Sequence, residues 1–298
     1  MSACIRVSTS AWPVAPSADW LAFAAKVDTI AREAASHGSR LLVLPEYASM
    51  ELSSLLTGPA QHDLAAQLEA MQDLLPEWLQ LYAAIARSHG LYLLAPSFPE
   101  CDPDGRYRNR ARLFSPTGEC AAQDKLNMTR FEAETWGIAP GKSLKLFDTD
   151  LGRLGVAICY DSEFPLLVRR LAEAGADVVL VPACTDGLSG YHRVRTAGLA
   201  RALENQCYVV QAATVGDAPW SPAIDFNVGA AGIFAPADKA LSPDGVIALG
   251  GINRAGLIHA ELDLSLMQDL RRDGEVLISR DWRAAEGAPA GDVEIVRL

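Results

Sequence analysis

The sequence is poor in the features that mark metal-binding, membrane and nucleic-acid proteins. Its six cysteines (Cys4, Cys101, Cys120, Cys159, Cys184 and Cys207) include no CxxC pair and no Cys/His spacing of the zinc-ligand kind, so no metal site is expected. A chain of 298 residues does not need a disulfide framework, and free thiols in a reducing setting are the default. No stretch approaches the roughly 18 apolar residues of a membrane-spanning helix. The start "MSACIRVSTSAWPVAPS" has no apolar core of the kind a secretion signal carries. These absences predict a cytoplasmic protein with no membrane partner. Cations are also in the minority: 26 Lys and Arg against 37 Asp and Glu leave a net charge of −11, which argues against binding nucleic acid.

What the chain does have is apolar material, half of its residues, enough for a sizeable core. Short apolar runs alternate with longer helical patterns. "ACIRVST", "RLLVLP", "LYLLAPS", "DVVLVP" and "QCYVVQAA" read as strands, and the stretches 17–38, 62–90, 163–174 and 191–204 as helices. Pro76 is expected to break or kink the second helix. "DPDG" and "SPTGE" mark turns around "RYRNRARLF" and add hairpins to the alternation. No linker divides the chain, so one domain over 1–280 is expected, followed by a polar, Gly- and Pro-containing tail over 281–298. The pattern says layered α/β; periodicity leaves open whether this means one doubly wound sheet or two stacked sheets.

Three strands end alike, in "LLVLPE", "YLLAPS" and "VVLVPA". Ligands in such folds sit beyond the carboxyl ends of strands, which points Glu46, Ser97 and Ala183 to one rim. Cys159 ends another apolar run in "GVAICYDSEFP", just ahead of a helix whose first amides would favour a thiolate. Taken alone, a cysteine there is more often buried filler. Glu46 alone is either a tuned base or a solvated loop acid, and Lys125 alone is an ordinary surface charge.

Together the segments "LLVLPEYA", "QDKLNMTRFEAETWGIAPG" and "GVAICYDSEFP", with "GADVVLVPA" and "ARALENQCYVVQA", resemble the nitrilase superfamily of carbon–nitrogen hydrolases, amidase-like branch, from about residue 3 to about 265. The resemblance implies a four-layer α-β-β-α sandwich. It implies Glu46 as general base, Lys125 as oxyanion stabiliser and Cys159 as nucleophile, with a second carboxylate from the loop after the lysine. Both Glu132 and Glu134 stand in that loop. Counting six residues back from Pro140, where members of the family usually place the acid, selects Glu134. Tyr160 offers a backbone N–H to the oxyanion. Tyr160, Tyr191 and His192 are the substrate-contact candidates. Asp161 and Glu163 are read as structural, either capping the helix or hydrogen-bonding loop amides.

The function implied is hydrolysis of a small amide or N-carbamoyl compound through a cysteine thioester, with water as second substrate and no cofactor. A homodimer or larger assembly through the helices after Cys159 and around 191–204 is implied as well. The alternatives are a nitrile hydrolase, an acyltransferase, or a catalytically silent binding subunit; an intact Glu46, Lys125 and Cys159 argue against the last. "CYD" in place of "CWE" favours amides over nitriles. The absence of a histidine placed beside the cysteine disfavours papain-like chemistry.

Overall fold

Apolar alternation and turn chemistry together build a continuous sheet with helices on its outer faces. The computed structural model describes residues 4–61, 63–287 and 296–297. Strand β1 (Cys4–Pro13) leads to helix α1 (Trp20–Ser36), whose N-cap Asp19 accepts the Ala22 amide at 2.8 Å. After β2 (Leu41–Val43) comes α2 (Leu64–His89), capped by Asp63 and ended by Gly90 at φ 64°. Then follow β3 (Tyr92–Leu94), β4 (Phe98–Cys101), β5 (Tyr107–Phe114) and β6 (Cys120–Asp124). The "DPDG" and "SPTG" turns join β4 to β5 and β5 to β6, with Gly105 and Gly118 in the left-handed region they require. A short helix α3 (Arg130–Glu134) precedes the hairpin β7 (Leu146–Thr149) and β8 (Gly152–Val156). Next are α4 (Pro165–Glu173), β9 (Val178–Ala183), α5 (Leu188–Asn205) and β10 (Tyr208–Asp217). The chain closes with β11 (Phe226–Asn227), β12 (Gly232–Phe234), β13 (Val246–Leu249), β14 (Gly256–Asp263), α6 (Leu264–Asp273) and α7 (Ile278–Gly287).

Among the described residues the strands form one hydrogen-bonded system of 14, curled into two halves. In one half β1, β2 and β3 run parallel, flanked by the β4–β5–β6 hairpins and by β14 antiparallel to β1. In the other β8, β9 and β10 run parallel, flanked by β7 and β12. The halves are stitched where Ala11–Pro13 of β1 pair with 213–215 of β10. Period-two alternation assigns each strand residue a layer. Leu41 and Val43 join the core that both halves share, while Leu42 between them packs with Phe23 and Val27 of α1 and Met71, Trp78 and Tyr82 of α2. Val168 of α4 and Val194 of α5 pack against the second half. This mixed α/β arrangement of a curled sheet with outer helices is the architecture the resemblance implied.

Helix α2 differs from expectation: it runs through Pro76 without interruption. The proline removes one backbone hydrogen bond, but Met71 and Leu68 before it and Trp78 and Tyr82 after it are all buried on one stripe, and that packing carries the helix across. The tail expected over 281–298 begins inside α7; beyond Gly287 only Val296 and Arg297 belong to the described residues.

Trp78 is the keystone of the outer layer, with ring centroids of Tyr82, Phe98 and Phe114 at 4.6, 5.3 and 6.4 Å. Its Nε1 has no acceptor among the described residues. Trp78→Ala is expected to cost roughly 3–5 kcal/mol in chemical denaturation. Trp78→Phe is expected to cost less, because it also removes a buried donor that is unpaired. Equal losses in the two variants would contradict this packing role.

Candidate active site

Three parallel strands deliver their carboxyl ends to one point. Glu46 lies three residues beyond β2, Cys159 three beyond β8, and Cys184 directly follows β9. The Leu44 amide bonds the Leu94 carbonyl at 3.0 Å and the Ala157 amide bonds the Leu180 carbonyl at 2.9 Å, so pairing continues almost to the site. The Tyr47 amide then donates to Ser97 Oγ at 3.0 Å, tying the first two rims together. Two residues at this rim adopt positive φ without being glycine: Tyr47 at 54° and Cys159 at 47°. Each is a left-handed position costing on the order of 1–2 kcal/mol, and each turns the chain sharply at the strand end. Ser162 Oγ donates to the Cys159 carbonyl at 2.6 Å and holds the second bend closed.

Lys125 comes from the opposite flank. Its amide bonds the Asn109 carbonyl and its own carbonyl accepts the Gly141 amide, both at 2.8 Å. The side chain is 1% exposed and its ammonium donates to Glu46 Oε1 at 2.8 Å and to Glu132 Oε2 at 2.6 Å. Glu132 is saturated: Oε2 also accepts the Thr129 amide and hydroxyl, and Oε1 accepts the Tyr47 hydroxyl at 2.9 Å and Asn109 Nδ2 at 3.1 Å. Asn109 Nδ2 reaches Glu46 Oε1 as well, at 2.8 Å. The second oxygen of Glu46 accepts the Cys184 amide at 3.0 Å. Cys159 lies alongside, its Sγ 3.6 Å from the Cys184 carbonyl oxygen.

Asp161, two residues past the cysteine, accepts the amides of Leu126 and Asn127 at 3.0 and 2.7 Å and Asn127 Nδ2 at 2.9 Å. The loop carrying the lysine is thereby pinned to the bend carrying the cysteine, the second of the two roles open to Asp161. Arg201 adds a brace: it pairs with Glu204 at 3.1 Å and reaches the Ser162 carbonyl.

The electrostatics follow from burial and from two carboxylates facing one cation. Burial opposes the charge on Lys125, but Glu46 and Glu132 outweigh it and hold the ammonium well above its ordinary pKa. Burial likewise opposes ionisation of Glu132; Lys125, the Thr129 amide and Asn109 reverse the balance and keep it below its usual value. Glu46 goes the other way: burial raises it, Lys125 offsets part of that, and the Glu132 charge adds to the rise. The Cys159 thiol is pushed well above its usual value by burial and then by Glu46, with Lys125 only partly compensating. The resting site therefore holds a neutral thiol beside a carboxylate of raised proton affinity.

The structure corrects one residue. Glu134 does not reach Lys125; it is exposed and pairs with Arg130 one turn away, at 2.8 Å. Glu132 takes the place beside the lysine. The reason is local: Thr129 caps α3, and Glu132 at its third position completes a capping box that turns its carboxylate inward. The pattern "TRFE" carried that signal in the sequence, and counting from Pro140 overlooked it. Of the other candidates, Tyr160 sets its ring edge-on to Phe164 at 4.9 Å beside the bend. Tyr191 is buried next to the His192 ring at 5.0 Å, and His192 is exposed on a cleft shared with Glu163 and Arg193. Among the described residues no hydrogen bond joins Tyr191 or His192 to Glu46, Lys125 or Cys159.

Asn109 and Tyr47 entered the site without being anticipated. In "RYRNRARLF" the arginines 108, 110 and 112 share one face of β5, where they pair with Glu100, Asp102, Asp104 and Asp124. Asn109 falls in the opposite phase with Ala111 and Leu113. A polar residue in an apolar phase was the readable sign.

A family model described as carbon-nitrogen hydrolase matches residues 7–272. A probable hydrolase of Bacillus subtilis is 32% identical over 261 residues, an alignment covering 88% of this chain and 50% of the relative; the chain spans half the length of that protein. An omega-amidase of Danio rerio is 28% identical over 257 residues, covering 83% of this chain and 84% of that one. The crystal structure of a carbon-nitrogen hydrolase from Helicobacter pylori is alike in fold, with a TM-score of 0.76 at 18% identity over 95% of this chain and 96% of its own.

The two carboxylates of α3 are expected to behave oppositely on truncation. Glu132→Ala leaves a buried ammonium with one counter-charge fewer and is expected to destabilise by about 3 kcal/mol or more. Glu134→Ala is expected to leave the denaturation midpoint unchanged, since it removes an exposed pair. Indistinguishable midpoints would contradict the arrangement.

Proposed function

Because the chain belongs to the carbon–nitrogen hydrolase family, we propose that it hydrolyses the C–N bond of a small amide or N-carbamoyl compound through a thioester on Cys159. The observation that carries this reading is Lys125 buried between Glu46 and Glu132 with Cys159 alongside. The name of the Danio rerio relative, an omega-amidase, supports amides as the substrate class.

In this reading the neutral thiol gives its proton to Glu46 as sulfur attacks the carbonyl carbon, so a thiolate forms only when it is consumed. The negative charge that develops on the carbonyl oxygen is met by the Lys125 ammonium and by the Tyr160 backbone N–H. Two flanking carboxylates keep that ammonium charged, so it stabilises the oxyanion without competing as a base. Glu46 returns the proton to the leaving nitrogen, the C–N bond breaks, and ammonia or an amine departs. Water then enters, Glu46 takes its proton, and the hydroxide attacks the thioester. Collapse of this second intermediate releases the acid and returns the proton to the sulfur. Glu46 thus serves both half-reactions, and its raised proton affinity suits both roles.

The test is ammonia release from a panel of small amides, ω-amides, N-carbamoyl compounds and nitriles. Wild type is expected to act on an amide or carbamoyl member, and Cys159→Ala to release none while remaining folded. The profile of kcat/KM is expected to fall as pH drops through the Glu46 midpoint, because only the ionised carboxylate accepts the thiol proton. Burial places that midpoint above the ordinary glutamate value of about 4.3. Full activity in Cys159→Ala would overturn the mechanism, and activity confined to nitriles would overturn the substrate class.

A further inference from the structure

Glu46, Lys125, Glu132 and Asn109 form a closed ring of hydrogen bonds. Lys125 joins the two carboxylates on one side, at 2.8 and 2.6 Å, and Asn109 Nδ2 joins them on the other, at 2.8 and 3.1 Å. An ionised carboxylate offers about two acceptor directions on each oxygen. Glu46 Oε1 has both filled, by Lys125 and Asn109, whereas Oε2 has one filled, by the Cys184 amide, and one left.

We infer that Asn109 is a positioning residue that, by occupying Oε1, makes Oε2 of Glu46 the atom that takes and returns the Cys159 proton. This rests on the hydrolase reading for the identity of the proton donor. The amide orientation is forced, because rotating it would turn Oδ1 toward two carboxylates. That orientation is kept although Oδ1 is buried with no partner among the described residues. A side chain present for packing alone would not retain an orphaned acceptor at the bottom of the site, since an apolar one of similar shape avoids that desolvation. The backbone of the same residue accepts the Lys125 amide, so Asn109 sets the height of the lysine and the aim of the base together.

The variants are Asn109→Leu, similar in shape and without the donor, and Asn109→Ser, smaller and unable to span both carboxylates. The readout is the pH dependence of Cys159 alkylation by iodoacetamide, which needs no substrate, alongside kcat and KM for ammonia release. Losing a donor to the charged form raises the proton affinity of Glu46. The acid limb of alkylation is therefore expected to move up by about one pH unit in both variants. For ammonia release kcat is expected to fall about tenfold or more with KM little changed. A limb that stays where it is in either folded variant, or a fall in kcat that merely tracks a lowered melting temperature, overturns the assignment. A moved limb in variants of a wild type that releases no ammonia supports the role of Asn109 and counts against the hydrolase reading alone.

Discussion

The Lys125 ammonium is withdrawn from solvent, and the carboxylates of Glu46 and Glu132 stand in for the hydration it has lost. Removing a charge of that size from water costs several kcal/mol even after relaxation, so the lysine can sit there only if both partners are held in place. Much of the surrounding architecture meets that requirement. Strand β2 brings Glu46, the capping box of α3 turns Glu132 inward, and β5 contributes Asn109 and the carbonyl that fixes the lysine backbone. None of these elements is adjacent in sequence. They meet at the rim of one half of the sheet, and β8 and β9 of the other half bring Cys159 and Cys184 to the same point.

Burial first, and then the same charge balance, sets the state of the Cys159 thiol. Two carboxylates against one ammonium leave the buried site negative, and a negative buried site resists a second anion. Cys159 is accordingly held as a thiol, and Glu46, the less stabilised of the two acids, is left as the group ready to accept a proton. The acids also differ in their partners: among the described residues Glu132 accepts five of the hydrogen bonds named above and Glu46 three, one of those from the shared amide of Asn109. Equivalent side chains thus acquire different proton affinities from burial, neighbouring charge and hydrogen bonding together. The left-handed bends at Tyr47 and Cys159 are the conformational cost of delivering both groups to one rim, and the packed strand ends behind them absorb it.

Much of this was legible before any coordinates. Apolar runs ending in Pro-Glu, Pro-Ser and Pro-Ala located the rim, and Gly105 and Gly118 located the hairpins that carry β5. The family resemblance of the segments around Glu46, Lys125 and Cys159 supplied the constellation and the layered architecture. Glu134 was the wrong acid because a count along a loop is blind to local hydrogen bonding, whereas the Thr129–Glu132 capping box is a physical rule written in the same residues. Asn109 escaped because its partners are distant in sequence: Glu46 lies 63 residues away and Glu132 lies 23. Pro76 misled for the opposite reason, since a local rule was overridden by burial on both sides of it. At Glu134 a local rule was overlooked, whereas at Asn109 tertiary packing decided.

In the proposed reaction, burial and the charge arrangement around Lys125 keep the Cys159 thiol protonated until Glu46 takes its proton. The most direct test is the ultraviolet thiolate absorbance of wild type minus that of Cys159→Ala, titrated upward from neutral pH. No thiolate band is expected at neutrality, and one is expected to appear only above the ordinary cysteine range. A thiolate already present in the resting protein at neutral pH would contradict that expectation.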